Sequence, residues 1–410
     1  MSSNDVASLG RPTPSLSIII PFHNSQNNSA RLLRTLADLP NGSVEVICVD
    51  DGSTDGTRDV LTNFAEVCTV PVKILWQENA GPGRARNNGL RHARGDYVWF
   101  VDCDDDITAE ALAYFDRLKH DGLDFIDFDM ADGVSGPVTN TMGITAGTYG
   151  VSSEIRSGLV RTYGSLVTKI TRRELLIANE LWYPEYCFFE DNLLTLVLPF
   201  FVTRFHKADL VGYTHHQEFQ SITRRALSPR YFDRLHTAVW GFAAARRLAM
   251  GPSEVEAVEN RFIDLFFGKT TCQIFGMNYP NTGFLDSLRR LRLAEATGRL
   301  IAHFASLWYA RSWLVSARVH RYYRELAQEF DLPKNPLPRA MALPEGRRVP
   351  WRAIWVSTIF LRGQRRYFER LRAAAWGHAA SGSEAWRIPI MRVDSMSQGA
   401  TSLSAPSAVP

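Results

Sequence analysis

From Leu16 to about Phe128, short apolar runs alternate with longer stretches in which apolar residues return every three or four positions. The runs LSIII (16–20), VEVICV (44–49), VKILW (72–76), YVWFV (97–101) and FIDF (125–128) are β-branched or aromatic and predict strands. The stretches at about 27–39, 54–66, 83–94 and 108–119 predict helices between them. This alternation predicts an α/β fold, a doubly wound and mainly parallel sheet whose ligands gather beyond the carboxyl ends of its strands.

The polar clusters fall at those ends: PFHN (21–24), DDGSTDGT (50–57), QENAGPGRARN (77–87) and DCDDD (102–106) follow the first four strands, so four loops face one crevice. Further along, residues 129–150 read as loops or a hairpin. The apolar run from Leu193 to Val202, interrupted by Thr195 and Pro199, reads as a buried helix. The expected divisions are a disordered N-terminus at 1–14, an α/β domain at 15–225, a helical C-terminal region at 226–330, a linker at 331–350 with five prolines, a basic amphipathic helix at 351–378 and a disordered tail at 379–410.

With 410 residues, 45% of them hydrophobic, the chain can build more than one core. A net charge of +3 and the lack of alternating basic and aromatic residues argue against a nucleic-acid partner. The five cysteines show no CxxC spacing, which suits a reducing compartment. No stretch has the pattern of a signal peptide or a membrane span, so a cytoplasmic protein is expected. From Asp331 to Ala380, however, ten Lys or Arg stand against three Asp or Glu, interleaved with Trp351, Trp355, Phe360, Tyr367, Phe368 and Trp376. Such a segment suits peripheral contact with an anionic membrane on its inner face, or serves as a packing or homo-oligomer element.

Carboxylates crowded at the end of an apolar strand repel one another and need a cation or hydrogen-bond donors. If the segment is extended, Asp102 and Asp104 point the same way and Cys103 points back into the packing. Two hard oxygen ligands suit Mg²⁺ or Mn²⁺ shared with a diphosphate, while Asp106 reads as a cap for the helix near Thr108. In DDGSTDGT, Ser53 or Thr54 reads as a helix cap, which leaves Asp50 to accept hydrogen bonds from a ribose or a base. Arg84 and Arg86 bring guanidinium groups to a helix start, or form part of a solvated face.

LSIIIPFHN, VEVICVDDGSTDGT, QENAGPGRARNNGL and YVWFVDCDDD, in this order and spacing, together resemble the nucleotide-sugar-binding half of the family-2 glycosyltransferases with the GT-A fold. The resemblance spans roughly residues 15–225. It implies an inverting, hexosyltransferase-like enzyme that takes a sugar from a nucleotide-diphosphate donor, in the first instance a UDP-sugar. The acceptor would be a carbohydrate or lipid-linked hydroxyl in cell-surface polysaccharide or glycolipid assembly. The nucleotide-sugar-binding positions it implies are Pro21, Phe22, Asp50, Asp51, Asn79, Arg84, Arg86, Asp102, Asp104 and His216. Asp102, Asp104 and His216 are its candidate metal contacts.

An inverting transfer needs one base to take the acceptor proton. CFFEDN (187–192) resembles the family's ED signature, and Asp191 is the expected base; Glu190 is its rival, and helix capping is the competing role for Asp191. GYTHHQEFQSIT (212–223) lies where related enzymes close a His-bearing segment over the diphosphate. If it is extended, at most one of His215 and His216 reaches the site. Two other classes compete. A nucleotidyltransferase that makes sugar nucleotides should carry a basic glycine-rich loop after the first strand, where this chain has PFHNSQNN. A non-catalytic sugar-nucleotide scaffold should lack the metal or base carboxylates, and both are present here.

Overall fold

A computed structural model describes residues 13–39, 43–216 and 233–267. The first half follows the expected alternation: β1 (Leu16–Phe22), α1 (Ala30–Ala37), β2 (Val44–Asp51), α2 (Thr57–Val67), β3 (Val72–Gln77), α3 (Pro82–His92), β4 (Tyr97–Phe100), β5 (Asp106–Ile107) and α4 (Ala109–Leu118). There follow β6 (Phe125–Asp132), β7 (Val138–Thr139), β8 (Gly147–Gly150), α5 (Ser153–Thr162), β9 (Lys169–Arg172), α6 (Arg173–Ala178) and α7 (Asp191–Val197). A 3-10 turn at Leu198–Phe200, β10 (Arg204–His215), α8 (Asp233–Leu248) and α9 (Pro252–Phe267) complete the described residues.

The strands form one mixed sheet in the order β3-β2-β1-β4-β9-β6-β10-β5, with β7 on β6 and β8 on β10. β3, β2, β1 and β4 are parallel, as are β6 and β10, but β9 runs antiparallel between β4 and β6. Successive residues of a strand face opposite sides, and here each side has its own core. Ile19, Ile47, Val49, Val98 and Phe100 pack under α3 and α5 to α9, whereas Ile18, Ile20, Val46, Cys48 and Trp99 pack under α1, α2 and α4. Each fully buried aliphatic side chain contributes about 1.5–3 kcal/mol, so a continuous apolar run such as LSIII is what a doubly covered strand requires.

Helices α8 and α9 bury Ala238, Ala245, Ala257, Val258 and Phe262 in the core that covers one face of the sheet. The buried helix expected over Leu193–Val202 is α7 with its 3-10 extension. Two capping expectations are corrected. Thr108 caps α4 through the amide of Ala111, while Asp106 accepts from its neighbour Ile107 in β5. α2 starts from Gly56, and Ser53 and Thr54 instead bond to Asn24 in the preceding loop.

Four cysteines, Cys48, Cys68, Cys103 and Cys187, are free thiols among the described residues. No helix among the described residues is long and apolar enough to cross a membrane. The expectations for the N-terminal 1–12, the 331–350 linker, the amphipathic stretch 351–378, the tail and Cys272 lie outside the described residues.

The second half of the sheet is pinned by buried charge. Asp127 of β6, with no exposed surface, accepts from Lys169 Nζ at 2.7 Å and from the Thr168 hydroxyl at 2.7 Å. Lys207 of β10 reaches Asp129 at 2.6 Å and Asp127 at 3.5 Å. Removing one partner of a buried pair strands the other charge. Asp127→Ala is therefore expected to destabilise the fold by about 3–5 kcal/mol, read as a lower midpoint in urea unfolding. An unchanged midpoint would contradict the account.

Candidate active site

The loops after β1, β2, β3 and β4 converge at the carboxyl end of the sheet, and backbone hydrogen bonds fix their spacing. The Asp51 carboxylate accepts from the amides of Ala80 and Gly81, each at 2.8 Å, and from Gln77 Nε2 at 2.8 Å. Burial raises its pKa in spite of these donors. Asp51, expected among the nucleotide contacts, is thus committed to shaping the loop that starts α3. Asp50 is fully buried, accepts from the Ser53 amide at 3.1 Å and pairs with Arg58 Nε at 3.2 Å. The Asp50 carboxylate, expected to be open to a ribose or base, already has these two donors.

His23 joins three of the loops. Its Nδ1 lies 2.8 Å from the Asp51 carbonyl and so carries the proton, which leaves Nε2 to accept from Asn79 Nδ2 at 3.1 Å. Asn79, expected near the nucleotide, thus stands against a histidine that the sequence did not single out. Pro21 and Phe22 end β1 next to this group; Phe22 is buried and Pro21 half-buried.

The aspartates form a turn rather than an extended segment: the Asp105 amide donates to the Asp102 carbonyl at 3.2 Å. The alternation argument for Asp102 and Asp104 therefore does not apply. Cys103 still points inward, with its thiol 3.2 Å from the Ser25 hydroxyl. Asp105 is buried and accepts from the Tyr213 hydroxyl at 2.5 Å and the His216 amide at 2.8 Å. Burial, reinforced by the charge of Asp102, pushes its carboxyl up to about 8. β10 thus brings the main chain of His216 onto the aspartate turn. His215 is exposed and faces Asp132 at 3.4 Å, on the far side of the strand.

The turn and the ED sequence meet through Arg86. Its guanidinium bonds Asp102 Oδ1 at 2.6 Å through Nη2 and Glu190 Oε1 through Nη1. Burial opposes the guanidinium charge, but Asp102 and Glu190 more than compensate and hold its pKa up. Arg86, expected near the nucleotide, is a bridge between two carboxylates. Arg84 bonds the Tyr186 hydroxyl and lies 4.0 Å from Glu185, so it too faces the 183–190 segment. Asn87 completes the seam, donating to the Tyr183 carbonyl at 2.9 Å and accepting from the Tyr183 amide at 2.9 Å.

This seam requires close approach. A Cβ on Gly83 would lie 2.2 Å from the Pro184 carbonyl oxygen, a distance no side chain can occupy. Glu190 is the N-cap residue of α7 without a side-chain cap bond, and Asp191 is the first helical residue, so capping explains neither carboxylate.

The architecture is that of the GT-A fold. Residues 17–145 match the family Glycosyl transferase family 2. The poly(ribitol-phosphate) beta-N-acetylglucosaminyltransferase TarS of Staphylococcus aureus is 32% identical over 189 residues, 44% of this chain and 31% of the relative. A poly(ribitol-phosphate) beta-glucosyltransferase of Bacillus spizizenii is 30% identical over 189 residues, 44% of this chain and 29% of the relative. The chain thus spans about a third of the length of these curated relatives. The crystal structure of S. aureus TarS 1–349 in complex with UDP-GlcNAc superposes with a TM-score of 0.56 at 24% identity, covering 77% of this chain and 88% of that one, a likeness of fold.

Around Arg86 one positive charge faces two carboxylates, with Asp191 beside them. Burial pushes the Glu190 carboxyl up to about 7, with Arg86 pulling it back and Asp191 pushing it further. The unfolded chain releases this proton near 4.5, so between those values the folded state binds the extra proton. Stability from this group is full below about 4.5 and lost as pH rises through about 7. Glu190→Gln is expected to lose less melting temperature than the wild type between pH values of about 5 and about 8. Parallel curves would refute the assignment.

Proposed function

We propose that the chain is an inverting glycosyltransferase that moves a sugar from a nucleotide diphosphate, in the first instance a UDP-sugar, to a hydroxyl of a carbohydrate or lipid-linked acceptor in cell-surface polysaccharide assembly. The observation that carries this reading is the Arg86 bridge, which joins Asp102 of the aspartate turn to Glu190, 104 residues beyond the arginine. The named activities of the relatives above support the donor class.

In this reading the acceptor oxygen attacks the anomeric carbon as the bond from that carbon to the diphosphate oxygen breaks. The bonding pair leaves with the diphosphate, and the acceptor proton passes to the Asp191 carboxylate. Glu190 is held by Arg86 and keeps the first turn of α7 in place. Asn79 and His23 face the nucleotide, and Asp50 would exchange Arg58 for a ribose or base contact.

A divalent cation, Mn²⁺ or Mg²⁺, fits the turn as a partly protein-held ion. Among the described residues no three His, Cys, Asp or Glu side chains are arranged to hold one alone. Asp102 nevertheless keeps about a third of its side chain exposed. The charges of Asp102 and Asp104 both raise the neighbouring Cys103 and Asp105, so the turn concentrates negative charge even though Arg86 pairs with Asp102. Such ions take few protein ligands and complete their shells with phosphate oxygens and water. Asp102 and Asp104, with His216 alongside, would hold it, and it would offset the charge that develops on the departing diphosphate.

Asp191→Asn keeps the side-chain size but cannot accept the proton, so UDP release from a UDP-sugar should fall by roughly a hundredfold or more with UDP affinity nearly unchanged. Full turnover in this variant, with loss in Glu190→Gln, would reverse the two assignments. For the cation, calorimetry should find UDP binding much weaker in EDTA than in Mn²⁺, and Asp104→Asn should abolish the difference. Equal affinity in both buffers would rule the ion out.

A further inference from the structure

Phe22, Asp50 and Trp76 stand side by side at the carboxyl ends of β1, β2 and β3, because the strands pair in the register Phe22↔Asp50 and Asp50↔Trp76. Neighbours in register point to the same side of a sheet, here the side on which Cys48 packs with Leu61 and Phe64 of α2. The first turn of α2 brings Arg58 to this corner.

Asp50, Arg58 and Trp76 differ sharply in what they show to solvent. The Asp50 side chain has no exposed surface, whereas Trp76 is 44% exposed and the Arg58 side chain 57%. A buried carboxylate is thus paired with a side chain that itself lies largely in water. Arg58 Nε donates to Asp50 Oδ2 at 3.2 Å, and its guanidinium carbon lies 5.0 Å from the centroid of the Trp76 ring. The other carboxylate oxygen, Oδ1, accepts from the Ser53 amide at 3.1 Å, a bond fixed within the loop that follows β2. Of the two donors, Arg58 is therefore the one that can be exchanged.

We propose that Arg58 is a gate on the nucleoside pocket, an internal ligand that holds Asp50 before a nucleotide enters and competes with the incoming ribose or base for the same carboxylate oxygen. The proposal rests on the reading of Asp50 as a nucleotide contact. Taking the partner from a buried carboxylate strands its charge, so the gate resists anything that brings no donor of its own. A nucleoside brings such donors, in its ribose hydroxyls or in a ring N–H. Because the guanidinium is exposed, water replaces what it loses on leaving, and the exchange meets little resistance from the arginine itself. Trp76 keeps the displaced side chain at hand, since the guanidinium can turn away from Asp50 and stay over the ring. The sign of the effect separates this role from simple attraction. A cation that only drew in the diphosphate would weaken nucleotide binding when removed, whereas removing a competitor strengthens it.

The test is calorimetry of UDP and of inorganic pyrophosphate, both in Mg²⁺, on the full chain of the wild type, Arg58→Gln, Arg58→Met and Asp50→Asn. Both neutral Arg58 variants should bind UDP roughly threefold to tenfold more tightly, the factor by which a closed majority state lowers apparent affinity. Pyrophosphate, which has no nucleoside to meet Asp50, should gain nothing. Two neutral replacements of different polarity are used so that failure of one to fold still leaves the other, with melting temperature as the check on folding. Unchanged or weaker UDP binding in a folded neutral variant, or an equal gain for pyrophosphate, would overturn the proposal. Asp50→Asn should lose UDP affinity. If it does so while the Arg58 variants gain none, the gate alone fails and the nucleotide contact stands; if Asp50→Asn binds UDP like the wild type, the reading of Asp50 fails first and the gate falls with it.

Discussion

A single buried guanidinium has to satisfy two carboxylates from distant parts of the chain, and most of the crevice is organised by that requirement. Arg86 can reach Asp102 and Glu190 together only if α3 lies close to the 183–190 segment, which is why Gly83 sits against the Pro184 carbonyl and the Asn87 side-chain amide both donates to and accepts from the Tyr183 main chain. A buried ion group of this kind is weak evidence of stability, since taking three charges out of water costs about as much as their attraction returns. Its value is geometric. It leaves one arrangement of α3, the aspartate turn and the start of α7 without a stranded charge.

The second organising group is Asp105, which ties the same turn to the last strand. Tyr213 and the His216 amide both donate to it, and β5 pairs antiparallel with Tyr213 and Thr214 of β10. The turn is thus the edge of the sheet as well as the wall of the crevice. Asp51 acts in the same way one loop earlier, holding the entrance to α3 by its amides. Each cluster of aspartates divides into members that build the loop and members that face the crevice.

That division explains what the sequence could and could not disclose. Strands β1 to β4 and the helices between them were legible because burial on both faces demands continuous apolar runs, and the loops were legible because polar residues at strand ends interrupt them. The convergence of PFHN, DDGSTDGT, QENAGPGRARN and DCDDD followed from topology alone. The individual tasks of Asp51, Asp105 and Arg86 did not, because each depends on partners brought up by tertiary structure. Nothing in the spacing of three consecutive aspartates says that the middle one will meet Tyr213. The antiparallel β9 was also hidden, since KITR is too short to carry a pattern.

The separations along the chain also bear on how the molecule folds. Arg86 meets Glu190 across 104 residues, and Asp105 meets Tyr213 and His216 across 108 and 111. Contacts of such high order form late, because the closure entropy must be met before they contribute anything. During synthesis, the strands β1 to β4 and their helices can therefore assemble while the aspartate turn still lacks both its arginine-bridged glutamate and the strand that will border it. Until β9 pairs with β4, that nascent sheet presents an unpaired edge ending in a cluster of carboxylates, and the repulsion among them discourages pairing with another chain.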